Sequence, residues 1–206
     1  MNICLPANQS SQRRSGTLVR WLGPGLVWLT VCLGGGGLSA HAQSPASLEY
    51  EVKGAFLVKF GMFVEWPTNG LSTNKGGVFT IGILGDDPFG ASFDEAVKKE
   101  TVRGRSVQVK RARKLAELEG CQIVFISASE SGRLAEVILE LTGKGVLTVA
   151  DEPGFAARGG MIGFIKDAGK IRFEINPGAA ERAGLKLSSK LVQVGKRVTE
   201  TGTAQG

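Results

Sequence analysis

The chain has 206 residues, a formal net charge of +6 and a single histidine, His41. The charged residues among its first 42 positions are three arginines, so the remainder carries only +3, which is too little for a nucleic-acid-binding protein. That remainder also has no histidine and one cysteine, which excludes a Ser-His or Cys-His nucleophile pair and an ordinary zinc site.

The first 42 residues have the three parts of an export signal. Arginines give a positive start, an apolar stretch follows at 21–38, and Ala40-His41-Ala42 supplies the small residues that signal peptidase recognises. We therefore predict cleavage after Ala42 and location in the periplasm. An uncleaved membrane anchor is the alternative, although glycine-rich interruptions at 23–25 and 34–37 count against it. Residues 43–199 then form one domain, and 200–206 a flexible tail.

The remaining chain predicts an alternation of helices and strands. Helical spacing of apolar residues from Leu48 to Trp66 predicts a first helix, with Ser47 as N-cap and Pro67 as terminator. Strands are predicted at 78–84, 106–111, 123–126 and 146–149. Helices are predicted between them at 88–99, 112–118 and about 128–143, the first capped by Asp87 and the last by Ser127 or Ser129.

The pattern changes after the fourth strand. A hairpin is predicted from 161–166 and 170–175, followed by a short helix at 178–183 and a last helix from Leu187 to Val198. The order of these elements predicts a single α/β domain. Its sheet is mainly parallel and built from βαβ units with helices on both faces, and it ends in a β-hairpin and helix.

Two pairs of residues are candidates for binding a small ligand. Asp86 and Asp87 end the first long strand, where parallel sheets bind ligands, and Gly159 and Gly160 could present backbone N–H groups to an anion. The alternatives are a turn with a helix cap for the acidic pair and a tight turn for the glycines. A hydrolase that relies on Asp86, Asp87 or Asp151 is the enzymatic hypothesis. Because the lack of histidine counts against it, we predict a non-enzyme without cofactor or metal.

Three further features have structural interpretations. The basic stretch from Lys98 to Lys114 is interpreted as a solvated face, with a surface for an acidic partner or a membrane as the alternative. Cys121 opens a buried strand and is predicted to be an inert thiol. Trp66 is either a plug at the helix end or an exposed anchor for a partner, and the sequence leaves both open.

Several segments of the predicted domain match one set of motifs in order. They are Val52–Leu57, Phe63–Pro67, Ile83–Gly90, Cys121 with 127–130, Val146–Val149, Gly154–Ala156, Gly159–Ile162, Arg172–Asn176 and Ala179–Leu191. In these motifs the chain resembles the YfiR-like family, catalogued as a periplasmic domain of unknown function.

The resemblance implies a periplasmic, non-catalytic and often dimeric regulator. Such a protein inhibits an inner-membrane diguanylate cyclase and lowers cyclic di-GMP, and an outer-membrane lipoprotein is a further partner. Some members carry disulfides, from which this chain departs because Cys121 is alone. The alternative is a small-molecule-binding sensor that acts on a sensor kinase or another membrane partner.

The last two motifs supply a candidate partner surface. On a strand, Arg172, Glu174 and Asn176 share one face, so we expect them to be exposed if Phe173 and Ile175 enter the core. A local ion-pair network that orders the C-terminus is the alternative. The full set of candidates is Trp66, Arg172, Glu174, Asn176, Glu181, Arg182 and Lys186.

The export signal makes the first testable prediction. Mass spectrometry of the protein recovered from the periplasm should place the new N-terminus at Gln43, or within about two residues of it, because of the small-residue rule. A full-length chain fixed in the inner membrane would contradict cleavage.

Overall fold

The computed structural model describes residues 45–67 and 77–200. The predicted signal segment, its cleavage site and the chain from residue 201 onward lie outside the described residues, as does most of the predicted loop at 68–77.

Within the described residues the strands form an eight-stranded sheet and a separate two-stranded pair. The strands are β1 (Val64–Glu65), β2 (Val78–Leu84), β3 (Thr101–Val102), β4 (Arg105–Ala112), β5 (Ile123–Ile126), β6 (Leu147–Ala150), β7 (Ile162–Asp167), β8 (Lys170–Ile175), β9 (Lys186–Leu187) and β10 (Lys196–Arg197). The sheet order is β10-β8-β7-β6-β5-β2-β4-β3, and β1 pairs with β9. Pairing is parallel from β4 through β2, β5 and β6 to β7, and antiparallel at β3-β4 and β7-β8. The predicted mainly parallel α/β sheet is confirmed.

Helices cover both faces of this sheet. The α-helices are α1 (Pro45–Phe63), α2 (Ala91–Val97), α3 (Leu134–Leu141), α4 (Pro177–Arg182) and α5 (Ser189–Val194), and short 3-10 helices span Leu115–Leu118, Ala128–Arg133 and Ala156–Arg158. Successive β5 residues point to opposite faces: Ile123 and Phe125 join the core beneath α1, whereas Val124 and Ile126 join the core beneath α3. The central strands are apolar throughout because both of their faces are buried.

An aromatic cluster joins α1 to the β7-β8 hairpin. The Phe60 ring meets the Phe173 ring edge-on at 5.1 Å and stacks on the Phe164 ring at 5.9 Å. Phe56 contacts the same two rings at 6.0 and 5.8 Å. Aromatic pairs of this kind contribute about 0.5–1.5 kcal/mol each beyond the area they bury, so the cluster is a principal contact between the first helix and the end of the domain.

The two glycines of α1 allow the helix to pack closely. A Cβ added to Gly54 would lie 2.8 Å from the Phe93 ring, and one added to Gly61 would lie 2.9 Å from the Phe79 ring. Both distances are shorter than van der Waals contact. The roughly 1 kcal/mol that each glycine costs the helix is therefore offset by aromatic rings from α2 and β2 that pack directly against its backbone.

The first helix differs from the prediction at both ends. It begins at Pro45, so Ser47 is inside the helix rather than at its N-cap. It ends at Phe63 instead of continuing to Trp66, because Val64 and Glu65 leave the helix to pair with β9. Pro67 therefore follows a strand and does not end the helix.

The predicted helix caps at two other positions are wrong. The Asp87 carboxylate accepts the N–H groups of Phe89 and Gly90, so it caps a turn, and α2 starts only at Ala91. The predicted helix at 128–143 divides into a 3-10 helix and α3, and Ser127 makes no side-chain cap hydrogen bond. Ser129 Oγ instead accepts the Asp86 N–H, which joins this segment to the end of β2.

The predicted final helix from Leu187 to Val198 is also wrong. Its centre is α5, capped by the Ser188 hydroxyl, which accepts the Leu191 N–H at 3.3 Å. The flanking residues form β9 and β10, and β10 extends the main sheet parallel to β8. Two-residue strands carry no hydrophobic period, which is why sequence periodicity does not predict them.

The aromatic cluster makes a testable prediction for stability. Phe173→Ala removes a side chain that is 3% exposed and contacts two rings of α1, so the free energy of unfolding should fall by about 3–5 kcal/mol. Urea unfolding followed by circular dichroism measures it. The matched control is Leu139→Ala at a 76% exposed position of α3, which should change stability by less than about 0.5 kcal/mol. Equal effects of the two variants would contradict the assigned core.

Candidate partner-binding surface

The outer face of β8 carries two of the predicted polar side chains. Phe173 is buried, whereas Arg172 is exposed and Glu174 is partly buried on the opposite face. The Arg172 guanidinium lies 3.0 Å from an Asp167 carboxylate oxygen, toward the hairpin turn. The Glu174 carboxylate, with only 14% of its side chain exposed, accepts a hydrogen bond from Lys196 Nζ of β10. Arg172 is therefore the more accessible of the two to another protein.

Asn176 does not lie on that surface. It is 3% exposed, and it follows the last residue of β8 as the N-cap of α4. Its Oδ1 accepts the Ala179 N–H at 3.0 Å, while its Nδ2 donates to the Ala156 carbonyl at 2.9 Å. The expectation that Asn176 would be exposed is wrong, because the strand ends at Ile175 and the alternation of faces ends with it.

The charged residues beyond β8 form an exposed group. Glu181 and Arg182 end α4, and Lys186 begins β9 opposite Glu65. All three side chains of Glu181, Arg182 and Lys186 are exposed, and we call them the α4 surface. The Arg182 guanidinium pairs with the Glu200 carboxylate, which holds the C-terminal segment against α4. Arg172 points toward the hairpin turn, so the structure divides the predicted set into two parts.

Trp66 is held against the core. Its indole N–H donates to the Gln122 carbonyl at 3.1 Å, and its ring meets the Phe79 ring edge-on at 5.4 Å. A tryptophan whose polar group and ring both have internal partners presents little free surface to another protein. These contacts support the interpretation of Trp66 as a plug at the helix end and count against its being an exposed anchor for a partner.

The acidic pair after β2 takes part in ion pairs. Asp86 lies 2.5 Å from Arg113, and Asp87 lies 2.7 Å from Arg111. Arg111 also donates two hydrogen bonds to Asp94 of α2, and these bonds hold the pKa of Asp94 below its ordinary value. These contacts join β2, α2 and β4, so they support the structural interpretation of the acidic pair.

Some cations of the basic stretch at 98–114 also form ion pairs with neighbouring acidic residues. Arg111 and Arg113 are paired as described, and Lys98 forms a surface pair with Glu95. Acids from neighbouring elements offset these three cations, and exposed pairs of this kind contribute little to stability.

The paired glycines after β6 do not present a free anion site. The Gly159 N–H donates to the Ala156 carbonyl and the Gly160 N–H to the Phe155 carbonyl. Gly159 adopts φ = 96°, which favours glycine. A Cβ at Gly160 would lie 2.3 Å from the Phe155 ring. The pair therefore serves the turn and the packing of Phe155, and the predicted anion-binding role has no donor available at either position.

A buried charge cluster lies beneath the start of α1. Lys53, 5% exposed, lies 2.6 Å from a Glu49 oxygen and 3.0 Å from Asp151 Oδ2, at the carboxyl end of β6. The Tyr50 hydroxyl donates to the same Asp151 oxygen at 2.6 Å. Asp151 Oδ1 is buried and has no hydrogen-bond partner among the described residues. The sequence pattern gave no signal for this cluster, because Lys53 and Asp151 are far apart in the chain.

The cluster shifts the pKa values of two of its members. Burial alone would raise the pKa of Glu49, but the bonds from Lys166 and Lys53 outweigh it and leave this pKa below its ordinary value. Burial, together with the Asp151 carboxylate that accepts the hydroxyl proton, raises the pKa of Tyr50. Glu49 therefore stays ionised and the Tyr50 hydroxyl stays protonated. In these states Glu49 pairs with Lys53, and Tyr50 donates its hydrogen bond from α1 to Asp151 after β6.

The hydrolase hypothesis gains no support from this geometry. Asp86 and Asp87 are paired with arginines, and Asp151 with Lys53 and Tyr50. Burial raises the pKa of the Cys121 thiol to about 11, so it is a poor nucleophile near neutral pH. In the described parts of the chain, no group of three or more His, Cys, Asp or Glu side chains could hold a metal ion.

Two apolar hollows flank α1. One, of about 340 Å³, lies between α1 and α2 and has Tyr50, Phe89 and Phe93 in its lining. The other, of about 440 Å³, lies between α1, β8 and α5, with Phe63 and Val194 among its residues. Neither hollow is predictable from the sequence pattern, because both depend on how the helices are spaced.

A family model described as YfiR/HmsC-like matches residues 50–196. The match covers well over half of the chain and includes β8, α4 and most of α1. The chain belongs to the YfiR/HmsC-like family. The resemblance drawn from the sequence motifs is thereby confirmed. Comparison with curated protein sequences gives no significant match.

Membership of the YfiR/HmsC-like family fits a periplasmic regulator with a partner in membrane signalling. In the described ranges 45–67 and 77–200, no helix has the length and apolar character needed to cross a membrane. The family is regulatory and, in general terms, non-catalytic.

The corrected position of Asn176 makes a testable prediction. Asn176→Ala removes the N-cap of α4 and leaves the buried Ala156 carbonyl without its side-chain donor, so unfolding should require about 1–3 kcal/mol less. Chemical denaturation measures the change. Glu181→Ala, at an exposed position of the same helix, is the control and should alter stability by less than about 0.5 kcal/mol. An Asn176→Ala protein as stable as the control would contradict the buried cap.

Proposed function

We propose that this protein is a periplasmic regulator that binds and inhibits a membrane-bound diguanylate cyclase and so lowers cyclic di-GMP. The family match over residues 50–196 is the observation that supports the proposal. Export by the N-terminal signal, cleavage near Ala42, homodimer formation and capture by an outer-membrane lipoprotein belong to the same proposal.

The α4 surface and Arg172 are the proposed contacts with the cyclase. Their side chains are exposed, while the backbone that carries them is fixed by buried Phe173 and by Asn176. A fixed backbone with exposed charged side chains suits a binding surface, because little main-chain order is lost on association. Trp66, Glu174 and Asn176 are held by internal contacts, so we propose no direct role for them.

Inhibition requires a difference in affinity between two states of the target. A regulator shifts an equilibrium only by as much as it binds the inhibited state more tightly than the active state. A tenfold reduction in cyclase activity needs about 1.4 kcal/mol of that difference. Two or three charge-assisted contacts from the α4 surface are sufficient for such a difference.

A second candidate function is a small-molecule sensor that acts on a sensor kinase. The hollow of about 340 Å³ between α1 and α2 favours it, because ligand pockets usually have volumes of about 300–1,000 Å³ and apolar, aromatic linings. The candidate ligand residues Asp86, Asp87, Gly159 and Gly160 do not line this hollow, so the proposed ligand site lies elsewhere than at those candidates.

The experiment is a deletion of the gene followed by complementation. Deletion should raise cyclic di-GMP, measured by mass spectrometry of cell extracts, and increase biofilm. The wild-type chain should restore the low level, whereas Glu181→Lys should restore it only partly. The melting temperature of that variant should stay within a few degrees, because it changes an exposed side chain.

The matched control is Glu136→Lys, which reverses a charge at an exposed position of α3, in a different part of the fold. It should complement as well as the wild type. Unchanged cyclic di-GMP after deletion, with altered phosphorylation in a sensor-kinase pathway, would contradict the cyclase as target and support the second candidate.

A further inference from the structure

The hollow between α1, β8 and α5 has a mainly apolar wall. Its volume is about 440 Å³, within the range of about 300–1,000 Å³ that small-molecule sites usually occupy. Four aromatic rings and two aliphatic side chains of α5 supply this wall: Phe56, Phe60, Phe63, Phe173, Leu191 and Val194. The contacts proposed with the cyclase use none of these side chains, so the hollow has no role in that proposal.

The floor of the hollow is fixed by packing in the core. Phe60 and Phe173 are 1% and 3% exposed, and their rings meet edge-on at 5.1 Å. A Cβ added to Gly195 would lie 2.6 Å from the Phe173 ring, so the end of α5 packs closely on β8. A ligand that enters a preformed hollow orders few side chains, and its binding is correspondingly less costly.

The mouth of the hollow leaves apolar surface in contact with water. Phe63 of α1 and Val194 of α5 both line the hollow, and they are 36% and 74% exposed. Among the described residues, five large hydrophobic side chains are exposed to this degree, and two of them border this one hollow. Isolated exposed apolar residues are ordinary, whereas an apolar concavity with exposed apolar residues at its mouth favours an apolar occupant.

The charged groups of the lining are both cationic. Lys59 of α1 and Lys190 of α5 line the hollow, Gln193 is its further polar residue, and its lining contains no Asp or Glu. Within the described ranges, the lysines that form ion pairs are those at 53, 98, 144, 166 and 196. The hollow between α1 and α2, by contrast, has two glutamates in its lining. The hollow against α5 therefore suits an apolar ligand with an anionic end.

An acyl chain fits this lining better than a peptide does. A peptide inserted into the hollow would bury backbone N–H groups, which need acceptors. Among the side chains of the lining, the Gln193 amide alone has an oxygen that accepts a hydrogen bond, since lysine is only a donor. The methylenes of an acyl chain need no such partner.

We propose that this hollow binds a long-chain fatty acid, whose acyl chain lies against the phenylalanine rings and whose carboxylate lies at the mouth between Lys59 and Lys190. The flexible stem of each lysine can lie along the acyl chain while its ammonium group meets the carboxylate in water. Apart from Lys59, the site shares no lining residue with the hollow that favours the second candidate function. The proposal goes beyond both candidate functions and depends on neither.

Titration with fatty acids of different length tests the apolar wall. The protein, exported from the full-length gene and cleared of co-purified lipid on a hydrophobic resin, is titrated calorimetrically with decanoate and dodecanoate below their micelle concentrations. Dodecanoate should bind at a single site, about fifteenfold more tightly than decanoate, because each of its two additional methylenes contributes about fourfold. Dodecanol, which has the same chain without a carboxylate, should bind more weakly than dodecanoate.

Substitution of the lysines tests the position of the carboxylate. Lys59→Gln and Lys190→Gln should each weaken dodecanoate binding about three- to fivefold, as expected for partly exposed charge pairs, and should leave dodecanol binding unchanged. Lys99→Gln, at an exposed lysine outside the hollow, is the control and should bind dodecanoate as the wild type does.

A carboxylate at the mouth should exclude the ligand. Val194→Glu should weaken dodecanoate binding at least about tenfold, because it places a like charge beside the carboxylate and a polar group against the acyl chain. Leu139→Glu is the matched control, since the two positions are helical and 74% and 76% exposed, and it should bind normally. Circular dichroism checks that both variants keep the fold.

The outcomes distinguish a fatty acid from other occupants. Absence of binding, equal affinities for decanoate and dodecanoate, or equal binding by Val194→Glu and Leu139→Glu would each overturn the proposal. Lysine variants that bind dodecanoate as the wild type does would also overturn it. If dodecanoate failed to bind and Val194→Glu failed to complement the deletion strain, the hollow would belong to the membrane partner. The binding measurements use the purified chain without the cyclase, so failure of the regulatory proposal is a separate result.

Discussion

The contact between α1 and the sheet is the constraint on which the rest of the domain depends. One face of the sheet is closed by the rings of Phe56 and Phe60 against Phe164 and Phe173. The β7-β8 hairpin can therefore be buried only where α1 lies across it. α4 follows directly from that hairpin through the cap made by a buried asparagine, so the position of the exposed charged residues on α4 also depends on the aromatic contact.

The charge cluster beneath α1 orients the helix against the sheet, in a contact that is otherwise only hydrophobic. Apolar packing tolerates small rotations of a helix, whereas Lys53 must meet both Glu49 and Asp151 to offset the loss of its hydration. Removing one partner would leave a buried charge, which typically costs 3–5 kcal/mol. Because Lys53 and Tyr50 of α1 both contact Asp151 after β6, the cluster fixes the rotation of α1 about its axis.

The sequence predicts those parts of the fold whose burial follows a simple period. β5 is predictable because all four of its residues are apolar, and α3 because Leu134, Val137 and Leu141 recur at helical spacing. The position of Asn176 is not predictable by alternation, since a cap begins where the strand ends. The Lys53–Asp151 pair and the two hollows depend on tertiary packing. Ion pairs hold the acidic residues after β2, and the sequence had offered that interpretation beside a ligand site without deciding between them.

The pairing of β1 with β9 has a consequence for how the chain acquires its structure. Val64, directly after the first helix, is bonded to Leu187, near the end of the domain, and β10 then completes the sheet beside β8. Contacts between such distant segments form late, because the loop between them must first be closed. A chain emerging from a ribosome or a translocation channel with its N-terminus first cannot close this domain until its last strands are free. The topology thus delays completion of the fold until the synthesis of the chain is nearly complete.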